Sequence, residues 1–288
     1  MNQETKADVL PLLIPKDMVG VGSPIPLETV PDPAALTERF AKDLMSEYLA
    51  AKASGRDKIV FIVPVGPVGQ FEQWADRCNA EKISLRDLVV INMDEYLKPD
   101  GSGFISIDDP LSFRRHMDQK FYNRLDPELA PPLEARHFPN PLHPEQTGEL
   151  IATHGGVDAC FGGVGITGHV AFNDPPEPGK PMDLDEFADL PTRCVELSRE
   201  TRLINSVTVC RGNLSRIPRK AITVGMREIL NSRHVRIYMN RQWQCAVVRQ
   251  LLHGPVTPDV PASLLQRHKD VRVVAVDLVR EVPEPTLA

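Results

Sequence analysis

Short apolar runs rich in β-branched residues alternate with helical segments along most of this chain. Six runs have the length and composition of buried strands, at residues 58–65, 88–93, 157–161, 221–224, 235–239 and 271–276. Helical patterns lie between several of them; in residues 34–54, for example, apolar side chains recur every three or four positions. Strands that alternate with helices favour a mostly parallel sheet joined by right-handed crossovers. The sequence therefore predicts an α/β protein with helices on both faces of its sheet.

The chain has 288 residues, enough for one large α/β domain. We expect residues 1–33, which are rich in proline, to form an arm that packs on a single domain at 34–288. A net charge of −6 argues against a nucleic-acid partner. The sequence has no apolar run of 18 residues and no signal-peptide pattern, and its five cysteines are scattered, as is typical of a cytoplasmic protein with no membrane partner.

The segment Gly162–Asp174 reads GGVGITGHVAFND and directly follows the run at 157–161. If that run is a parallel strand, the glycines lie at a carboxyl end of the sheet, where ligands bind in open α/β folds. Glycine also lets a ligand approach the backbone closely. His169 is the side chain of this segment that titrates near neutral pH, and a carboxylate at Asp174 could fix its tautomer. The alternative is a structural histidine bonded to loop carbonyls; the neighbouring glycines and Asp174 favour a functional one.

A second polar cluster, Asn92–Tyr96, closes the run at 88–93. Adjacent residues that leave a strand point to opposite sides, so only one of Asp94 and Glu95 can face a pocket. A carboxylate shielded from water has a raised pKa and can accept a proton near pH 7. The alternative is a polar cap on the end of a strand.

These two clusters resemble motifs of the glucosamine-6-phosphate deaminase/isomerase family. Supporting segments are SFRRHM at 112–117, ETRLINS at 200–206, AITVGM at 221–226 and VPASLLQRH at 260–268, so the resemblance runs from about residue 34 to residue 277. It implies a modified Rossmann-type α/β sandwich. By the same resemblance, Asp94 moves a proton between C2 and C1 of an open-chain sugar, His169 helps to open the ring, and Asp174 supports His169.

The resemblance further implies a sugar isomerase/deaminase that hydrolyses a C–N bond, with no cofactor and no metal. Its ligand would be an amino sugar or sugar phosphate, and relatives of this kind form homo-oligomers in some cases. The substrate-binding positions it implies are Gly66, Gly69, Glu95, Gly163, Gly165, Thr167, Gly168, Asn173, Arg202 and Gln244.

Several positions depart from the family pattern. Thr167 replaces an aspartate; its hydroxyl can form a hydrogen bond but cannot hold an imidazolium by charge. In the family, a hydroxyl-rich turn cradles a phosphate. The equivalent residues here, 65–71, contain no hydroxyl, and Pro67 removes one amide donor. Val207 and Gln244 stand where an arginine and a lysine are usual. Replacement cations could come from Arg202, Arg211, Arg216, Arg219 or Lys220.

Two explanations of these departures remain open: the substrate lacks the usual phosphate, or catalysis has been lost and the fold only binds a sugar as a sensor. A third hypothesis is a hydrolase similar to the 6-phosphogluconolactonases. The enzymatic hypothesis leads, because Asp94, His169 and Asp174 are all retained. A pocket walled by Val65, Val68 and Val207 would favour an unphosphorylated ligand.

Overall fold

The computed structural model describes residues 10–284. The strands in that range are β1 (Leu27–Val30), β2 (Ile59–Val63), β3 (Leu88–Asn92), β4 (Asp94–Tyr96), β5 (Arg136–His137), β6 (Ala159–Gly162), β7 (Arg193–Glu196), β8 (Lys220–Thr223), β9 (His234–Met239) and β10 (Val271–Val276). The α-helices are α1 (Pro33–Ala53), α2 (Gln70–Glu81), α3 (Phe113–Met117), α4 (Gln146–Thr153), α5 (Leu184–Ala188), α6 (Arg199–Cys210), α7 (Met226–Leu230) and α8 (Cys245–His253).

Seven strands form one sheet in the order β1-β10-β9-β6-β2-β3-β5, and every pairing in it is parallel. The chain moves from β2 to β3 on one side and later returns to β6 on the other side of β2. This reversal creates a topological switch point, where the carboxyl ends of neighbouring strands open a crevice. The predicted α/β architecture with a mostly parallel sheet is confirmed.

The core lies on both faces of this sheet because successive side chains of a strand alternate in direction. In β2, Phe61 packs with Phe40 of α1 and Trp74 of α2 on one face. On the other face, Ile62 belongs to the cluster that contains Leu251 of α8. All five residues of β2 are buried, which explains the continuous apolar run in its sequence.

A second, smaller sheet has the order β4-β8-β7 and is antiparallel. The run predicted as a strand at 221–224 lies here as β8 and pairs antiparallel, outside the parallel sheet. Its pattern could not reveal this, because a short, fully buried strand looks the same in either kind of sheet. Strands β1, β5 and β7 have only two to four residues each and were not anticipated.

The segment predicted as an arm contributes β1, which pairs with β10 at the edge of the main sheet. Helix α3 is short and ends at Met117, where a wider π-type turn continues over Asp118–Tyr122. None of the helices between residues 10 and 284 has both the length and the apolar character that crossing a bilayer requires. In the same range, no three His, Cys, Asp or Glu side chains are grouped so as to hold a metal ion.

Candidate active site

A cavity of about 310 Å³ lies at the carboxyl ends of the central strands. Its walls come from the loops that follow β2, β3, β6 and β9, and from one side of α6. The switch point between β2 and β6 therefore opens into this cavity. Its volume is within the range of sites for small molecules.

Asp94 enters the cavity from the point where the chain passes between the two sheets. Strand β3 ends at Asn92. The next residue, Met93, donates its amide hydrogen to the Val63 carbonyl, and its own carbonyl accepts a hydrogen bond from the amide of Val224. Asp94 then begins β4, is 8% exposed and lines the cavity. Burial, assisted by the negative charge of Glu95, raises the pKa of Asp94 to about 8. Such a carboxylate can take up and release a proton near neutral pH.

Glu95 points away from the cavity, as the alternation along a strand requires. Its carboxylate accepts hydrogen bonds from the Ser112 hydroxyl and from the backbone amides of Phe113 and Arg114. The Arg114 guanidinium lies 3.2 Å away and completes an ion pair. Glu95 therefore anchors the first turn of α3 and does not line the ligand space, in contrast to the substrate-binding role expected from its motif.

His169 lies at the end of a tight turn after β6. The turn is closed by a hydrogen bond from the Gly165 amide to the His169 carbonyl, 2.9 Å long, and by one from the Gly168 amide to the Gly165 carbonyl. Gly168 has φ +81°, a conformation that favours glycine, and a Cβ there would press on Val260. A Cβ on Gly165 would overlap the imidazole of His169. The two glycines are thus required to bring the ring to the cavity.

Three side chains gather around Nδ1 of His169. The Asp174 carboxylate lies 3.0 Å from it, the Thr167 hydroxyl 2.8 Å and the Thr201 hydroxyl 3.1 Å. Both hydroxyls also donate to Oδ1 of Asp174, at 2.8 Å and 2.6 Å. The other carboxylate oxygen accepts from the amide of Ser198.

This arrangement fixes the tautomer of His169. Each threonine hydroxyl has one proton, and both protons are used on Asp174. Nδ1 must therefore carry a hydrogen and donate it to the oxygens around it. Within residues 10–284 Nε2 forms no hydrogen bond, so in the neutral ring it is an acceptor available to a ligand.

The Asp174 carboxylate is held in its ionised form. Burial alone would raise its pKa, but the hydrogen bond and charge of His169, the Thr201 hydroxyl and the Ser198 amide together lower that pKa far below its ordinary value. Of the carboxylates in residues 10–284, Asp174 is the one paired with His169. Thr167 thus bridges the pair instead of supplying a second charge.

The Thr201→Val variant should lower kcat by about tenfold, because it removes one hydrogen bond that holds Asp174 and Nδ1 of His169 together. Thr201 is fully buried, and valine has nearly the same shape. Thr201→Ser keeps the hydroxyl and serves as the matched control, with kcat near that of the wild type. Steady-state kinetics of the two variants check this, and an unchanged kcat in Thr201→Val would contradict the role given to the hydroxyl.

The remaining predicted site residues divide into two groups. Gly66, Gly163, Gly165 and Gln244 line the cavity together with Asp94 and His169. Gln244 is occupied by the protein itself, since its amide group donates to the Val164 carbonyl and accepts from the Arg241 amide.

The other group lies outside the cavity lining and consists of Gly69, Thr167, Gly168, Asn173 and Arg202. Gly69 caps α2 with φ +108°. Asn173 donates to the carbonyls of Val170 and Val224 and so fastens the histidine turn to the second sheet.

Several lining residues were not anticipated, namely Asn205, Thr208, Val209, Asn240, Arg241 and Trp243. Thr201 and Asn205 are four positions apart and therefore share one face of α6, a spacing that could have indicated them. Arg202, the residue of this helix that was expected to bind the substrate, lies outside the lining. Val207, whose presence in the wall together with Val65 and Val68 would favour an unphosphorylated ligand, is 59% exposed and is not part of the cavity lining.

The fold and the site together define an α/β protein in which a buried carboxylate and a carboxylate-supported histidine line one cavity, an arrangement suited to acid–base chemistry. No family model matches the sequence. A glucosamine-6-phosphate deaminase of Geobacillus sp. (strain WCH70) is 31% identical over 214 residues, which cover 72% of this chain and 77% of that protein. A glucosamine-6-phosphate deaminase of Rhodopirellula baltica is 29% identical over 257 residues, which cover 87% of this chain and 92% of that protein. The chain belongs to the glucosamine-6-phosphate deaminase family.

Solved structures show the same fold. A monomeric glucosamine-6-phosphate deaminase superposes with a TM-score of 0.72 at 24% identity and covers 90% of this chain and all of its own. The 6-phosphogluconolactonase of Thermotoga maritima gives a TM-score of 0.60 at 16% identity, over 88% of this chain and 99% of its own. The lactonase architecture is therefore shared as well. The relatives identified by sequence place this chain with the deaminases.

Proposed function

We propose that this enzyme isomerises an open-chain 2-amino-2-deoxy aldose to a ketose and releases ammonia. The observation that carries the proposal is that Asp94 and His169 line one cavity, with Nε2 of His169 unbonded and Asp174 behind it. The names of the relatives support an amino sugar as the substrate.

His169 acts first, on the closed ring. Its Nε2 accepts the proton of the C1 hydroxyl and returns a proton to the ring oxygen, which opens the ring and frees the C1 aldehyde. The imidazolium formed in between is stabilised by the ionised Asp174. Thr167 and Thr201 keep the ring oriented through this change.

Asp94 then removes the proton from C2, which is acidic because it is next to the carbonyl. Returning that proton to C1 moves the double bond and leaves a C=N bond at C2. Water adds there and ammonia leaves, so that amino-aldose and water become ketose and ammonia, a net hydrolysis of a C–N bond. A base fixed within reach of both carbons performs both transfers.

The pH dependence of kcat/KM should follow the ionisation of Asp94. Because its pKa is about 8, only the minority of molecules with an ionised Asp94 are active at pH 6. We expect kcat/KM to increase about tenfold per pH unit from about pH 5 to about pH 7 and to level off above pH 8. Infrared difference spectra of wild type and Asp94→Asn should show one carboxylic acid that ionises in the same range. A profile that is flat over this range would contradict the assignment of Asp94 as the base.

Assays of turnover test the proposal itself. Purified enzyme is incubated with glucosamine, galactosamine and their 6-phosphates, and ammonia and ketose are measured together. Equal amounts of both products from at least one sugar are expected. If no sugar is turned over but a sugar still binds, the sensor hypothesis replaces this one; hydrolysis of a gluconolactone without ammonia release would favour the lactonase alternative.

A further inference from the structure

One part of the cavity wall is formed mainly by apolar side chains. Val65, Pro67 and Val68 of the loop after β2 line it, together with Val209 of α6 and the aromatic side chain of Trp243. Pro67 has no backbone N–H, so the loop has one donor fewer than its length suggests. Val68 is 63% exposed, which places it at the opening of the cavity.

The cavity also has little positive charge. Among residues 10–284, Arg241 is the single lysine or arginine in the lining, and its side chain is exposed and forms no ion pair. The cations of the α6 region lie outside the lining; Arg216, for example, is paired with Asp109 at 2.6 Å.

A phosphate monoester carries between one and two negative charges at neutral pH. Bringing such a group out of water is unfavourable unless cations and hydrogen-bond donors replace its hydration. One exposed arginine compensates at most one of these charges. A neutral CH2OH group has no charge to be compensated, and the C–H faces of a sugar pack well against aliphatic and aromatic side chains.

We therefore propose that the substrate is an amino sugar without a phosphate, whose end remote from C1 packs against Val65, Val68 and Trp243. This inference rests on the proposed function for the class of sugar. It concerns the far end of the ligand and is tested by binding alone, so that its failure can be distinguished from a failure of the catalytic proposal. The departure of residues 65–71 from the family pattern then reflects a change of substrate.

The test uses 2-amino-2-deoxyglucitol and its 6-phosphate, open-chain analogues that have no C1 carbonyl and cannot react. Calorimetric titration of the wild-type enzyme should show the unphosphorylated compound binding at least about tenfold more tightly. Val68→Lys, which adds a cation at the opening, should shift this ratio about tenfold toward the phosphate. Val21→Lys adds the same charge at a residue that is 57% exposed and outside the cavity lining, and should leave the ratio unchanged.

Tighter binding of the 6-phosphate by the wild type would overturn the proposal. So would an Arg241→Ala variant that loses about tenfold in affinity for the 6-phosphate and none for the free compound, because Arg241 would then be the phosphate anchor. Binding of neither analogue would overturn it as well. These results hold whether or not the enzyme turns over a sugar.

Discussion

Replacing Asp94 with asparagine should lower kcat by about 10²–10⁴-fold and change KM little. The amide keeps the size of the side chain and its place in the cavity but cannot accept the C2 proton. Steady-state kinetics with the best substrate of the turnover panel measure both constants. A kcat within about tenfold of the wild type would contradict the role of Asp94 as the proton carrier.

The stability of the Asp94→Asn variant separates this result from misfolding. Burial and Glu95 raise the pKa of Asp94 in the folded state above its unfolded value, so the folded state binds this proton more tightly than the unfolded chain. The stability gained in this way is complete below the unfolded pKa of about 3.9 and is lost as the pH rises through about 8. Asparagine cannot ionise. The variant should therefore melt at or above the temperature of the wild type at pH 9, and a much lower Tm would show structural damage instead.

Replacing Gly165 with alanine should lower kcat by about 10²-fold while the protein remains folded. The new methyl group would overlap the His169 imidazole, and the ring must rotate away from the position that Asp174 and the two threonines define. A displacement of about 1 Å at a reacting group is enough for such a loss. Kinetics and the NMR shifts of the His169 ring protons measure the two consequences together.

Gly148→Ala is the matched control for this substitution. Gly148 lies in α4, away from the cavity lining, and a Cβ there meets nothing within 4 Å. Its kcat should equal that of the wild type, and its stability should be equal or slightly higher because alanine favours helices. If Gly165→Ala retains full activity with unchanged ring signals, the glycine is not required for the position of the histidine.

The sequence predicted the main sheet well because buried parallel strands leave continuous apolar runs. The run at 59–63 and its pairing partner at 88–92 are of this kind. Short strands carry no comparable signal; β5 has two residues, and β7 alternates between partly buried and exposed positions at the edge of the small sheet. Whether β8 pairs parallel or antiparallel depends on long-range contacts that no local pattern encodes.

The site was partly predictable for a related reason. Asp94 and His169 follow strands directly, so the position of their strands fixed their location. Glu95 was misplaced among the binding residues, although alternation along a strand lets only one of two adjacent carboxylates face the pocket. Arg241 and Thr201 come from segments whose register relative to the cavity depends on tertiary packing, and Thr201 is identified only by its distances to His169 and Asp174.

The fate of hydrogen at C1 during turnover in D2O tests the role of Asp94 most directly. If Asp94 carries a proton between C2 and C1 and exchanges it with water, NMR should show deuterium at C1 of the ketose formed by the wild type. The Asp94→Asn variant should form neither ketose nor deuterated product at a comparable rate. Ketose formation with deuterium uptake at the wild-type rate in Asp94→Asn would contradict the role of Asp94 as the proton carrier, because another group would then be moving the proton.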